Sequence, residues 1–163
     1  FKLFRMIWRS RVHVTVGLGR DQYSIVHAAD LARLLILAAE RGQRLRGSAE
    51  SDPTCQGYYF AACDQTPSYA DLGRLIASAL DRRVLVVPTP PRTIWFAAAA
   101  FELAARLRRH PELLDIDKAR EARAGSWTCS ARRAVDQLGF SVAATLPDRL
   151  RQTAEWYQQE GWL

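Results

Sequence analysis

The spacing of apolar side chains along the chain switches repeatedly between the period of a strand and the period of a helix. Val12, Val14 and Val16 alternate with His13 and Thr15, which predicts a short, half-buried strand. Apolar residues then recur at helical spacing after positions 30, 68, 130 and 145. Because strands and helices alternate along the chain, the pattern predicts an α/β fold with mixed strands and helices.

Residues that start and stop helices stand at the ends of the helical segments. Asp30 is predicted to be the N-cap of a helix that stops at Gly42, and Ser130 the cap of one that stops at Gly139. Hydroxyl and carboxylate residues three apart predict two capping boxes. These boxes are Ser68 with Asp71 and Thr145 with Asp148. The last helix is predicted to bury a stripe of Leu150, Ala154 and Tyr157.

The remaining segments are predicted from composition and turn residues. Extended segments are expected at 23–26, 58–62, 84–87 and 126–128. A long Ala-rich helix is expected from the prolines near position 90 to about Leu107, and another helix at 115–123.

Composition and charge narrow the class of protein. With 48% hydrophobic and 25% charged residues, the chain is able to form a packed core. The formal charge of +6 comes from arginines dispersed among Asp and Glu, which indicates a solvated surface and argues against nucleic-acid binding. Three cysteines without a C-x-x-C pair argue against disulfides and zinc, and they favour a cytoplasmic location. The longest apolar run, Ile94 to Phe101, is shorter than the roughly 20 residues of a membrane-spanning helix.

Two segments carry a resemblance to a known family. The first contains Gly17-x-Gly19-x-x-x-Tyr23-Ser24-Ile25-Val26-His27-x-x-Asp30-Leu31-Ala32. The second contains Trp127-Thr128-x-Ser130, Leu138-Gly139-Phe140 and Thr153-x-x-Trp156-Tyr157. Both, in this order, resemble the C-terminal half of extended short-chain dehydrogenase/reductases of the NAD-dependent epimerase/dehydratase family.

The resemblance implies that residues 1–163 form one substrate-binding domain of a larger two-lobe enzyme of Rossmann type. Its activity would be that of a sugar epimerase or dehydratase, or of a hydroxysteroid- or dihydroflavonol-type oxidoreductase. NAD or NADP would be bound by an N-terminal half outside these 163 residues. The partner of this lobe would be a small-molecule substrate.

The residues that the family uses for chemistry do not occur in this chain. Gln22 stands where the third glycine of the dinucleotide fingerprint would fall. Of the two lysines, Lys118 has Leu114 four residues before it, so the family's Tyr-x-x-x-Lys pair is lacking. We therefore expect no catalytic residue, no cofactor-binding residue and no metal ligand in this chain, and no catalysis by the chain alone.

The same resemblance places the substrate against the loop that precedes Val26 and His27. Gly17 and Gly19 permit close backbone approach, Arg20 offers a cation, and Tyr23 offers a flat amphipathic surface. These four residues are the predicted substrate-binding set. Ser24 stands where nucleotide-sugar epimerases carry a diphosphate-binding Arg, which disfavours a nucleotide-sugar substrate. His27 is expected to be a hydrogen-bonded structural residue, and the alternative for the loop is a plain surface connection.

Two other classes of protein remain open from the sequence. One is a free-standing, non-catalytic binding or interaction domain. The other is a peripheral membrane-associated protein that uses the aromatic helix around Trp95. A sheet deprived of its parent layers exposes apolar edges, which favours homo-oligomers.

Overall fold

The computed structural model describes residues 1–45, 56–90 and 125–163, and within them the chain is an α/β protein with five helices and two strands. The elements in order are α1 (Lys2–Ser10), β1 (Val12–Val16), α2 (Ala28–Arg41), α3 (Tyr69–Ala79), β2 (Leu85–Thr89), α4 (Arg132–Leu138) and α5 (Leu146–Gln159). The coarse α/β prediction is confirmed. The helices predicted between the prolines near position 90 and Leu107, and at 115–123, lie outside the described residues.

The two strands form a parallel pair, and the buried side chains of β1 are polar. Val12 lies opposite Leu85 and Val16 opposite Thr89. In β1 the fully buried side chains are His13 and Thr15, whereas Val14 is 44% exposed. The alternation therefore predicts the strand correctly, but hydrophobicity alone would have chosen the opposite inner face.

Both predicted capping boxes are present. The Ser68 hydroxyl accepts a hydrogen bond from the Asp71 N–H at 3.1 Å and donates to the Asp71 carboxylate at 2.6 Å. The Thr145 hydroxyl makes the same pair of contacts with Asp148, at 3.4 and 2.5 Å. Each hydroxyl satisfies an otherwise unpaired N–H in the first helical turn. Gly139 ends α4 in the left-handed conformation, as predicted.

Three local predictions need correction. The N-cap of α2 is His27, whose Nδ1 accepts the Ala29 N–H at 3.2 Å, and Asp30 lies within the first turn of the helix. Ala131, with no side-chain cap, takes the N-cap position of α4, although the adjacent Ser130 hydroxyl accepts the Arg132 N–H. Residues 58–62 are not a strand, because they have no ladder partner among the described residues.

The chain forms two compact units, each built from segments that are distant in sequence. The first unit holds the described residues of Phe1–Tyr23, Pro67–Trp127 and Leu150–Leu163, and the second holds those of Ser24–Thr66 and Thr128–Arg149. In the first, α1 and α3 pack against β1. The core of the second contains Leu34, Ala134, Leu138 and Phe140.

The final helix carries the apolar stripe that the sequence predicts. Leu150 and Ala154 are buried and Tyr157 is half-buried. The Tyr157 ring stands edge-on to Phe4, with 5.3 Å between the ring centroids, and stacks on Trp162 at 5.7 Å. The stripe therefore fixes the last turns of α5 within the first unit.

Candidate functional site

The predicted substrate loop, Gly17 to Tyr23, leaves the carboxyl end of the parallel strand pair. The Gly17 N–H donates to the Thr89 carbonyl at 2.9 Å, so both strands end at the start of the loop. The Gly19 N–H closes a turn onto the Val16 carbonyl at 3.1 Å. Ligands of open α/β sheets bind outside this edge, which is why the position of the loop matters for function.

The two glycines of the loop differ in the space that surrounds them. Both have a left-handed backbone, with φ of 57° at Gly17 and 62° at Gly19. A Cβ on Gly19 would lie 2.9 Å from the side chain of Thr15, so this glycine is required for packing. A Cβ on Gly17 would meet nothing within 4 Å. Of the two, Gly17 leaves open space for a ligand beside the backbone.

The far side of the loop is bound to the start of α3. The Tyr69 N–H donates to the Asp21 carbonyl at 2.9 Å, and the Ala70 N–H donates to the Gly19 carbonyl at 3.1 Å. The next amide, the N–H of Asp71, donates to the Ser68 hydroxyl. The first amides of α3 are thus donated within the chain, and an anion could bind them only by displacing the loop.

Tyr23 joins the loop to two further segments. Its N–H donates to the Pro67 carbonyl at 3.1 Å, and its backbone forms a parallel bridge with Trp127. The Trp127 N–H donates to the Gln22 carbonyl at 2.8 Å, while the Trp127 side chain is 56% exposed. The backbones of two aromatic residues are therefore adjacent on this edge. The sequence predicts Tyr23 as a substrate-binding residue but not Trp127.

The electrostatics of the loop favour binding and not proton transfer. Burial raises the pKa of Tyr23, and the nearby charge of Asp21 and the Tyr69 ring raise it further, so the phenol stays protonated at neutral pH. The side chain of Arg20 is exposed. Together they provide a hydroxyl and a cation for hydrogen bonds to a polar or anionic ligand.

A histidine on β1 was missed by sequence reasoning. His13 is fully buried, and its Nε2 lies 2.9 Å from the Tyr69 carbonyl oxygen. Its ring centroid is 4.6 Å from that of Tyr69, which in turn is 5.6 Å from that of Tyr23. In the sequence, His13 is only the polar member of an alternating strand. The sequence shows only that His13 is a polar residue between two valines, and this pattern predicts a solvent-facing side chain.

The Val26 to Ala32 segment, which carries the family resemblance, has a structural role in the second unit. Both carboxylate oxygens of Asp30 bind Arg149, at 2.8 Å from Nε and 2.6 Å from Nη2, and the Ala143 N–H adds a bond of 3.1 Å. Burial opposes ionisation of Asp30, but these hydrogen bonds and the Arg149 charge outweigh it and lower its pKa. His27 caps α2, which confirms that it is a hydrogen-bonded structural residue.

The described residues offer no group of three potential metal ligands, and Cys63 is a buried thiol. Burial raises the pKa of Cys63, and the charges of Asp30 and Asp64 raise it further. The thiol is therefore protonated at neutral pH. Within the same described part of the chain, no helix is both long and apolar enough to cross a membrane.

Comparisons with known proteins bear on the fold alone. No protein-family model matches the sequence, and no curated protein matches it. Among solved structures, the crystal structure of gox2253 is similar over 98% of this chain with a TM-score of 0.55 and 16% sequence identity. The match covers 53% of that protein, so this chain spans about half its length. At this identity the likeness shows a shared α/β fold.

Proposed function

We propose that this chain is the substrate-binding lobe of an NAD(P)-dependent extended short-chain dehydrogenase/reductase, of the sugar epimerase/dehydratase or the hydroxysteroid- or dihydroflavonol-type class. A second lobe would supply the dinucleotide and the Tyr and Lys of the reaction. The observation that carries the proposal is the position of the Gly17 to Tyr23 loop at the carboxyl ends of both strands of a parallel pair.

The chemistry of the loop supports a small, polar substrate. Gly17 leaves space at the backbone, Arg20 is exposed, and Tyr23 keeps its phenolic proton at neutral pH. Pockets for small molecules combine an aromatic surface with a few such polar groups. In this proposal Arg20 and Tyr23 select and orient the substrate, and neither transfers a proton.

Two further observations support a protein in which one lobe binds the substrate and another binds the dinucleotide. This chain aligns with about half of the longer gox2253 chain, so its fold is known to occur within a protein of about twice the length. The amides at the start of α3 are already donated to the loop and the capping hydroxyl, so a pyrophosphate could bind them only by displacing the loop. Calorimetry on the purified 163-residue chain is expected to detect no micromolar binding of NAD(H) or NADP(H).

A second candidate is a non-catalytic interaction domain, which the exposed face of α2 favours. Leu31, Leu35 and Ile36 are 40, 62 and 59% exposed there. Contiguous apolar surface of this kind marks contacts with other proteins or with further parts of the same protein. The absence of epimerase, dehydratase and oxidoreductase activity in the full-length gene product would favour this candidate.

Kinetics of the full-length gene product test the leading proposal. With the substrate found by screening sugar nucleotides, hydroxysteroids and dihydroflavonols, Arg20→Ala and Tyr23→Ala are each expected to lower kcat/KM at least about tenfold, or ~1.4 kcal/mol. The melting temperature should stay almost unchanged. The matched controls are Arg44→Ala and Tyr58→Ala, which remove the same side-chain types at exposed positions elsewhere. Unaltered kinetics in both loop variants would make the loop a plain connection.

A further inference from the structure

The His13 side chain occupies a closed position between β1 and α3. It has no exposed surface, and its ring lies against Tyr69 and against the backbone of Gly73. A Cβ on Gly73 would come within 2.2 Å of His13 Cδ2, so only a glycine at this point of α3 leaves room for the ring. The imidazole is therefore held in one place and has no space in which to turn.

The hydrogen bonding of His13 defines its tautomer. Nε2 lies 2.9 Å from the Tyr69 carbonyl, which can only accept, so Nε2 carries the proton. Nδ1 is buried and has no hydrogen-bond partner among the described residues. A second proton would have to sit on Nδ1, as a buried N–H for which the described part of the chain offers no acceptor. The site therefore accommodates the neutral imidazole and disfavours the imidazolium.

The charges around His13 act in the same direction. Burial lowers its pKa below 6.5, the hydrogen bond to the Tyr69 carbonyl opposes this, and the positive charge of Arg74 lowers it further. Within the described part of the chain, Arg74 is the charged group that acts on His13, while Tyr69, also on α3, acts through its backbone carbonyl. There, α1 and β2 also pack against the strand and contribute no such group, so no carboxylate offsets the cost of protonation.

The turn that His13 binds is also the turn that binds the substrate loop. The Tyr69 carbonyl accepts from His13, while the Tyr69 N–H donates to Asp21 and the Ala70 N–H donates to Gly19. We propose that His13 is a positioning residue for the Gly17 to Tyr23 loop: the neutral imidazole fits the closed site and holds the first turn of α3, whereas a proton on Nδ1 puts an unpaired charge into that site and favours opening of the turn and of the loop with it. The resulting loss of substrate binding in acid rests on the proposed function; the release of the loop does not.

The pH at which this occurs follows from the direction of the shift. The folded-state pKa of His13 is lower than the value of 6.5 for a free histidine. A group of this kind stabilises the fold fully above the free value, and its contribution is lost as the pH falls through the folded value. The loop should accordingly be held at neutral pH and released in mild acid.

Amide hydrogen exchange on the protein tests the release without any ligand. Replacing the other two histidines, as His27→Asn and His110→Gln, leaves His13 as the one imidazole, and the asparagine amide oxygen retains an acceptor for the α2 cap. Between about pH 8 and about pH 5.5, protection of the Tyr69 and Ala70 amides should fall at least about tenfold more than that of the Leu34 amide in α2. An equal change at all three amides, or none, would overturn the proposal.

Substitutions at His13 separate titration from packing. His13→Gln can keep a donor near the Tyr69 carbonyl but cannot take up a proton, so the protection of both amides should become independent of pH. His13→Phe removes the donor and should lower their protection at both pH values. If neither variant folds, nitrogen NMR of His13 in the parent protein still decides the matter. A protonated Nδ1 and an unprotonated Nε2 at pH 8 would contradict the proposed geometry.

A kinetic measurement then distinguishes this proposal from the proposed function. In the full-length gene product, the parent should lose kcat/KM in mild acid mainly through a higher KM, and His13→Gln should lack that loss. If the amides respond as expected but the KM of both proteins shows the same pH dependence, the loop is held by His13 yet is not the substrate site. If the amides do not respond, the role of His13 is refuted, whatever the kinetics show.

Discussion

Replacing Asp30 by asparagine should reveal how much the second unit depends on one buried ion pair. The Asp30 side chain is 1% exposed and that of Arg149 is 12% exposed, and the pair is bidentate. The amide oxygen of the new side chain can still accept the Ala143 N–H, so the substitution removes the negative charge and little volume. Because it leaves a largely buried guanidinium without its counter-charge, we expect the free energy of unfolding to fall by about 3–5 kcal/mol.

Urea denaturation with linear extrapolation measures this difference, and an exposed pair in the same unit provides the control. Asp136 and Arg132 are 3.5 Å apart, with side chains 62 and 87% exposed. Asp136→Asn makes the same chemical change there and should cost less than about 1 kcal/mol. In the double variant Asp30→Asn/Arg149→Met, part of the lost stability should return, since the unpaired charge is gone.

Acid titration gives an independent check of the same pair. The pKa of Asp30 is lowered below its usual 3.8 by the hydrogen bonds and charge that outweigh its burial. Its stabilising contribution is therefore present above 3.8 and is lost as the pH falls through the folded value. The native protein should lose this contribution in strong acid and Asp30→Asn should not. A cost below about 1 kcal/mol at neutral pH, or identical acid profiles, would refute the reasoning.

Two further substitutions test the packing of the first unit. Leu150→Ala should lower the free energy of unfolding by about 2–5 kcal/mol in urea denaturation, because Leu150 is buried. The control Leu35→Ala, on the exposed face of α2, should lower it by less than about 1 kcal/mol. Similar losses in the two variants would show that the stripe is misassigned. Gly73→Ala should destabilise by about 1–3 kcal/mol through its clash with His13, although alanine is the better helix former. A melting temperature that rises in Gly73→Ala would contradict the closed packing around His13.

The features that the sequence predicts well are those decided within a few residues. The capping box of Ser68 with Asp71, that of Thr145 with Asp148, and the stop at Gly139 each depend on neighbours at most a few positions away. Caps and helix stops of this kind depend on residues close together in the sequence, so they can be predicted without knowledge of the fold.

The features that cannot be predicted from the sequence depend on partner residues that lie far away along the chain. Asp30 looks like a helix cap until Arg149, 119 residues later, takes both of its oxygens. His13 looks solvent-facing until the carbonyl of Tyr69, 56 residues later, accepts a hydrogen bond from its ring. Residues 58–62 have the composition of a strand, but a strand forms only where a neighbour offers a ladder. The candidate loop was located from its family resemblance, while its attachment to α3 and to Trp127 became visible only in three dimensions.

The interleaving of the two units along the chain limits how this protein can be cut or recombined. The first unit is made of three separate stretches and the second of two, so the backbone passes from one to the other four times. Neither unit corresponds to a continuous piece of gene, and deletion mapping would remove parts of both at once. A crossover at 23/24 separates β1 from β2, and one at 66/67 also separates Asp30 from Arg149, so both hybrids should be unfolded. Transfer of residues 1–163 together keeps these pairs. Because their segments alternate along the chain, the two units can be transferred intact only together, as one continuous piece of sequence.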